Sequence, residues 1–170
     1  MKVLKWLNRY MEEVILVLGV GVMILLIFFQ VVMRYCFNNS LAWSEEVARY
    51  VFIWQVWLAV PYAVIRGRHI RLELLHDALG PVGKFVLDLI FFVVSAGFFF
   101  YIGVQSSGVV AGVIKMNQVT PVLAIPKWLC YLSVPVGSFL GAFRFVQYGV
   151  LRILRFTKDP SDTRTIVVEE

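Results

Sequence analysis

Four charged side chains, Arg34, Glu45, Glu46 and Arg49, lie between two long apolar runs, in the stretch QVVMRYCFNNSLAWSEEVARY at residues 30–50. Charge at the rim of a membrane either snorkels to water or holds a partner. Here both signs occur at helical spacing, with Glu45 and Arg49 an i,i+4 pair in the favourable order. This is the chemistry of binding rather than of turnover. No nucleophile sits beside a base, no glycine-rich loop could cradle a phosphate, and no Cys/His cluster has metal-ligand spacing, so neither an enzyme nor a cofactor is expected.

Asn38, Asn39 and Ser40 are turn and N-cap residues, so a helix should begin near Ser40 and carry Glu45 and Glu46 in its early turns. One face of that helix stands out. Trp43, Glu46, Tyr50, Trp54, Trp57 and Pro61 follow steps of 3, 4, 4, 3 and 4 and fall within about a 60° sector at 100° per residue. Trp and Tyr concentrate at membrane interfaces, but Trp54 and Trp57 should lie well inside the hydrocarbon, where an interfacial belt does not explain them. A protein-facing ridge with Glu46 at its outer end is the better reading.

The elements that position these residues follow from composition. With 60% hydrophobic and 15% aromatic residues in 170, and a mean hydropathy of +0.80, the chain lies outside the globular range and reads as an all-α integral membrane protein. The net charge of +5 does not point to nucleic acid, because the basic residues flank apolar runs and suit a lipid surface instead. Residues 14–33 carry no charge and are too long for a signal-peptide core, so they form a retained span. Gln30 within it reads as an interhelical hydrogen bond rather than a substrate contact.

Four transmembrane helices are predicted, at about 12–36, 40–65, 84–114 and 124–151. They form a single membrane domain over 1–156, followed by a polar tail over 157–170. Between the second and third, Leu72, Leu75 and Leu79 recur among charges, which predicts a short amphipathic interfacial helix ended by Gly80-Pro81. His69 and His76 fall there as solvated interface residues. Two GxxxG motifs, Gly108/Gly112 and Gly137/Gly141, would let spans three and four approach closely, or serve a partner chain. Pro121 and Pro126 bound the loop between them. Twelve of the sixteen Lys and Arg residues lie at the two ends of the chain or in the loop between spans two and three, so both termini are expected in the cytoplasm and the 30–50 stretch on the outer face. Cys36 and Cys130 then lie near that face, with free thiols expected.

The order of these residues resembles a known family. Arg34-Tyr35-x-Phe37-Asn38, then Leu41-x-Trp43-x-Glu45-Glu46-x-x-Arg49, then Trp54, and Arg66-x-x-His69-Ile70 are similar to the small membrane (Q, DctQ-like) subunit of the tripartite ATP-independent periplasmic (TRAP) transporters. The motifs cover about residues 14–80, and the remaining spans match in number and size. Ala59 departs from the glycine common there. The resemblance implies a bacterial inner-membrane protein that acts as a static scaffold for a large M subunit. That M subunit moves as an elevator in sodium symport, and a periplasmic P protein delivers an organic acid, sialic acid ahead of a C4-dicarboxylate. Arg34, Trp43, Glu45, Glu46, Arg49, Tyr50, Trp54 and Trp57 would then be subunit-interface residues, with membrane lipids around them. Two alternatives remain at this point. A stand-alone four-helix small exporter calls for a carboxylate in the first span, and residues 14–33 have none. A haem-binding electron carrier calls for paired histidines inside the spans, and both histidines lie outside.

Overall fold

The computed structural model describes residues 2–39, 41–65 and 80–158. It contains α1 (Lys2–Cys36), α2 (Ala42–Ile65), α3 (Pro81–Lys115), the single turn α4 (Trp128–Tyr131) and α5 (Ser133–Lys158). Four stretches are long and apolar enough to cross a membrane: Glu13–Cys36, Ala42–Val64, Val82–Lys115 and the combined run Trp128–Leu154. This is an all-α, multi-pass membrane architecture. The amphipathic segment, with His69 and His76, and the polar tail from residue 159 lie outside the described residues.

Local chemistry explains the helix ends. Asn38 follows α1 in the left-handed conformation (φ 51°), and the Asn39 N–H returns to the Met33 carbonyl at 3.1 Å. Asparagine tolerates that conformation better than most residues, so it serves where a helix must stop. Asn117 repeats the device after α3 (φ 46°). At the other end of α3, Gly80 precedes a proline at the first helical position, where a missing N–H costs nothing.

The fourth span starts later than residue 124. The Thr120 N–H donates to the Ile125 carbonyl at 2.9 Å, Lys127 N–H donates to the Gln118 carbonyl at 2.9 Å, and Val119 pairs with Pro126. A miniature hairpin therefore occupies the residues that would otherwise begin the helix, with Ala124 left-handed (φ 53°) at its tip. The span is also broken at Leu132, between α4 and α5. Pro135 has no N–H to return to the Tyr131 carbonyl, and its ring displaces that carbonyl.

The helices pack as an open row rather than a closed bundle. In space the order is α1, α2, α5, α3, and among the described residues α1 packs only on α2. The core lies around α5: Phe145 and Tyr148 are buried with Val64 of α2 and Phe92 of α3, and Phe99 stacks on Phe145 at a centroid distance of 5.6 Å. An open row leaves both broad faces apolar and uncovered, as Leu18, Leu25, Phe28, Val93 and Phe100 show. Lipid or a partner must cover them.

Candidate functional site

The predicted ridge of α2 does face protein, and the protein it faces is this same chain. Glu46, in the second turn of α2, is 5% exposed. One carboxylate oxygen, Oε2, accepts the N–H of Val122 at 3.1 Å and of Leu123 at 3.0 Å. The other, Oε1, accepts the Tyr50 hydroxyl from one turn further along α2. The Thr120 hydroxyl faces the same carboxylate and accepts the Ile125 N–H at 3.1 Å. The tip of the 118–127 hairpin thus hangs on a single side chain of α2. A rim carboxylate with this many donors has its lone pairs satisfied.

Trp54, two turns below Glu46, donates its indole N–H to the Leu129 carbonyl of α4 at 3.2 Å. Trp57 lies against Gly137 so closely that a Cβ built there would fall 2.5 Å from the Trp57 carbonyl oxygen. Pro61 is fully buried. The face from Glu46 to Pro61 is therefore the seam between α2 and the α4–α5 span. Trp43, by contrast, is 41% exposed. Arg34 is exposed, and Glu45 and Arg49 form a 3.1 Å ion pair whose side chains are 61% and 63% exposed. The eight ridge and rim residues thus divide: Glu46, Tyr50, Trp54 and Trp57 are used within the chain, while Arg34, Trp43, Glu45 and Arg49 face outward.

The glycine motifs divide in the same way. Gly137 and Gly141 both meet neighbours, Gly141 lying against Val60 of α2 and Phe99 of α3. Gly108 and Gly112 have open space where a Cβ would be. Spans three and four do pack together, but the close approach on α3 is at Gly103, against the Phe139 ring. The physical reason is rotational: the α3 face carrying Gly108 and Gly112 points away from α5.

Several polar residues were not singled out by spacing. Gln55, in the middle of α2, donates to the Leu16 carbonyl of α1 at 3.3 Å, and its amide fills the space beside Gly19. Asp88 and Arg152 form a buried ion pair at 3.1 Å between α3 and α5. Arg152 therefore does not act as a solvated positive charge at the membrane surface. Arg144, 7% exposed, donates to Gln147 at 3.0 Å. Gln30 shows no hydrogen bond to another described residue, so the interhelical bond anticipated for it is not made among the described residues. Cys36 and Cys130 are both free. Among the described residues no group of three or more His, Cys, Asp or Glu side chains could hold a metal ion.

With this geometry in place, residues 23–156 match the family described as tripartite ATP-independent periplasmic transporters, DctQ component. The chain is 31% identical over 155 residues to the isethionate TRAP transporter permease protein DctMQ of Oleidesulfovibrio alaskensis, covering 85% of this chain and 24% of that protein. It is 27% identical over 136 residues to the ectoine TRAP transporter small permease protein TeaB of Halomonas elongata, covering 80% and 70%. It is 29% identical over 108 residues to the C4-dicarboxylate TRAP transporter small permease protein DctQ of Rhodobacter capsulatus, covering 64% and 48%. A sialic acid TRAP small permease is also similar. The chain thus spans about a quarter of the length of the isethionate permease and about half of the dicarboxylate one. These relatives are transporter permease subunits, not enzymes.

Proposed function

Because the chain belongs to the DctQ component family of the TRAP transporters, as a small permease subunit, we propose that it is a static scaffold for a large M subunit. In this reading M moves as an elevator, carrying sodium and an organic acid that a periplasmic P protein delivers. Both termini lie in the cytoplasm of a bacterial inner membrane, and the 30–50 stretch faces outward near P. The relatives are named for isethionate, ectoine, C4-dicarboxylate and sialic acid. Such a range supports a scaffold that does not select the solute. The overall family resemblance puts sialic acid ahead of a C4-dicarboxylate.

One observation carries the scaffold reading. Among the described residues, the buried carboxylates are engaged by the chain itself: Glu46 by the 118–127 hairpin, and Asp88 by Arg152. A group that passes an ion or solute along must release one partner for another, and transport sites place such groups at cavities near the midplane. These are instead braces between helices.

The outward-facing residues Arg34, Trp43, Glu45 and Arg49 are the part of the rim free to meet M or P. Arg34→Glu with Trp43→Ala, expressed beside the large subunit, should lower both its co-purification and solute uptake while leaving the melting of the isolated small subunit unchanged. Unaltered complex yield and uptake would remove these residues from the interface. Passage of solute through vesicles containing this chain alone would remove the scaffold itself.

A further inference from the structure

Between α2 and the α4–α5 span, beside the hairpin that Glu46 holds, lies an open groove of about 390 Å³. Arg49, Lys127, Tyr131, Ile53 and Val134 are among the residues that line it. Ile53 is one helical turn below Arg49 on α2, and Val134 is about two turns below Lys127 on the α4–α5 span. Cation, aromatic and aliphatic residues are therefore layered along the axis of the bundle. That is the order of phosphate, glycerol ester and acyl chain in a phospholipid standing at the same rim.

The charges fit a phosphate. Among the described residues Lys127 makes no ion pair. Arg49 uses one nitrogen, Nη2, on Glu45, and a guanidinium has five N–H donors in a planar fork, so most of them remain to be used. Tyr131, 43% exposed, is the amphipathic residue type that settles at headgroup depth. Glu45, beside Arg49, can meet the ammonium of a zwitterionic headgroup, so the recognition is of the phosphodiester and does not require net negative lipid.

We propose that this groove is a phospholipid site, in which Arg49 and Lys127 hold the phosphodiester and Ile53 and Val134 the start of an acyl chain. The occupant comes from the bilayer, because free phosphate would leave the apolar half empty. The site needs only a chain embedded in a membrane; it shares Arg49 with the rim offered to M or P, so it is tested on this chain alone, apart from the M partnership.

The test is native mass spectrometry of the full chain in detergent, titrated with dioleoyl phosphatidylglycerol or dioleoyl phosphatidylethanolamine. Wild type should bind one lipid of either kind. Arg49→Ala with Lys127→Ala should weaken it about 30-fold, from the usual contribution of one Lys or Arg near a lipid surface taken twice. Lys127→Arg alone should keep it. Val134→Trp, which fills the apolar half and leaves both cations, should lose it too. If Val134→Trp does not fold, the charge variants still decide, because both side chains are at the rim. Lipid binding unchanged in the double alanine variant overturns the site. So does displacement of the lipid by inorganic phosphate at equal concentration.

Discussion

The carboxylate of Glu46 lies 3.0 Å from the backbone nitrogen of Leu123, which places the control of an extramembrane hairpin in the side chain of a different helix. A hydrogen bond to a charged acceptor is worth more than a neutral one, and the Val122 and Leu123 donors would be left unpaired without it. Replacing Glu46 by Ala should therefore cost about 3 kcal/mol. Thermal unfolding in detergent should show a midpoint lower by several degrees, and hydrogen exchange should rise selectively over residues 120–125. Glu46→Gln, which keeps one acceptor oxygen, should fall between.

The two GxxxG motifs make opposite predictions. At Gly137 a new Cβ would strike the Trp57 carbonyl, and backbone cannot give way as a side chain can. Gly137→Ala should separate α2 from α5 at a cost of about 1–3 kcal/mol. Gly108→Ala and Gly112→Ala add a methyl to open space and should leave the stability of the isolated chain unchanged. Thermal melts of the three variants side by side make the comparison.

Removing one half of the Asp88–Arg152 pair should be severe, about 3–5 kcal/mol, because the buried charge that remains would lose its ion-pair partner across the α3–α5 seam. Exchanging both halves together, Asp88→Leu with Arg152→Met, should recover most of that loss. A double-mutant cycle on unfolding free energy reads the coupling directly.

Ala124 offers a gain. Its left-handed backbone (φ 53°) is one that a Cβ disfavours, by about 1–2 kcal/mol. Ala124→Gly should recover roughly 1 kcal/mol, less the extra freedom glycine has in the unfolded chain. A higher melting midpoint with unchanged helix content by circular dichroism is the expected result.

The four-helix plan was legible because uncharged runs of about twenty residues admit little else. The helix stops were legible in part: Asn38 ends α1 where turn chemistry places it, while the start of the fourth span is displaced by a hairpin whose rungs are backbone bonds with little side-chain signature. Spacing correctly put Glu46, Tyr50, Trp54 and Trp57 on one face. It could not say whose surface that face meets, because the partners of Glu46 are peptide N–H groups 76 and 77 positions away. Spacing could not separate the two glycine motifs for a related reason. Gly108/Gly112 and Gly137/Gly141 are alike in spacing, and only the central place of α5 in the row decides which of them is crowded. Gln55 could have been noticed as a polar residue in mid-span. Its acceptor, a main-chain carbonyl of α1, could not.

The long separations of these braces set a timetable for biogenesis. Glu46 leaves the ribosome 76 residues before Val122, and Asp88 leaves 64 residues before Arg152, so each acid must wait for its counterpart while synthesis continues. At the rim Glu46 can wait in contact with water. Asp88 is buried once the fourth span arrives, so the nascent third helix must keep that carboxylate near the lipid headgroups until the segment carrying Arg152 inserts beside it. The fourth span is thus the one that joins the second and third, packing against both.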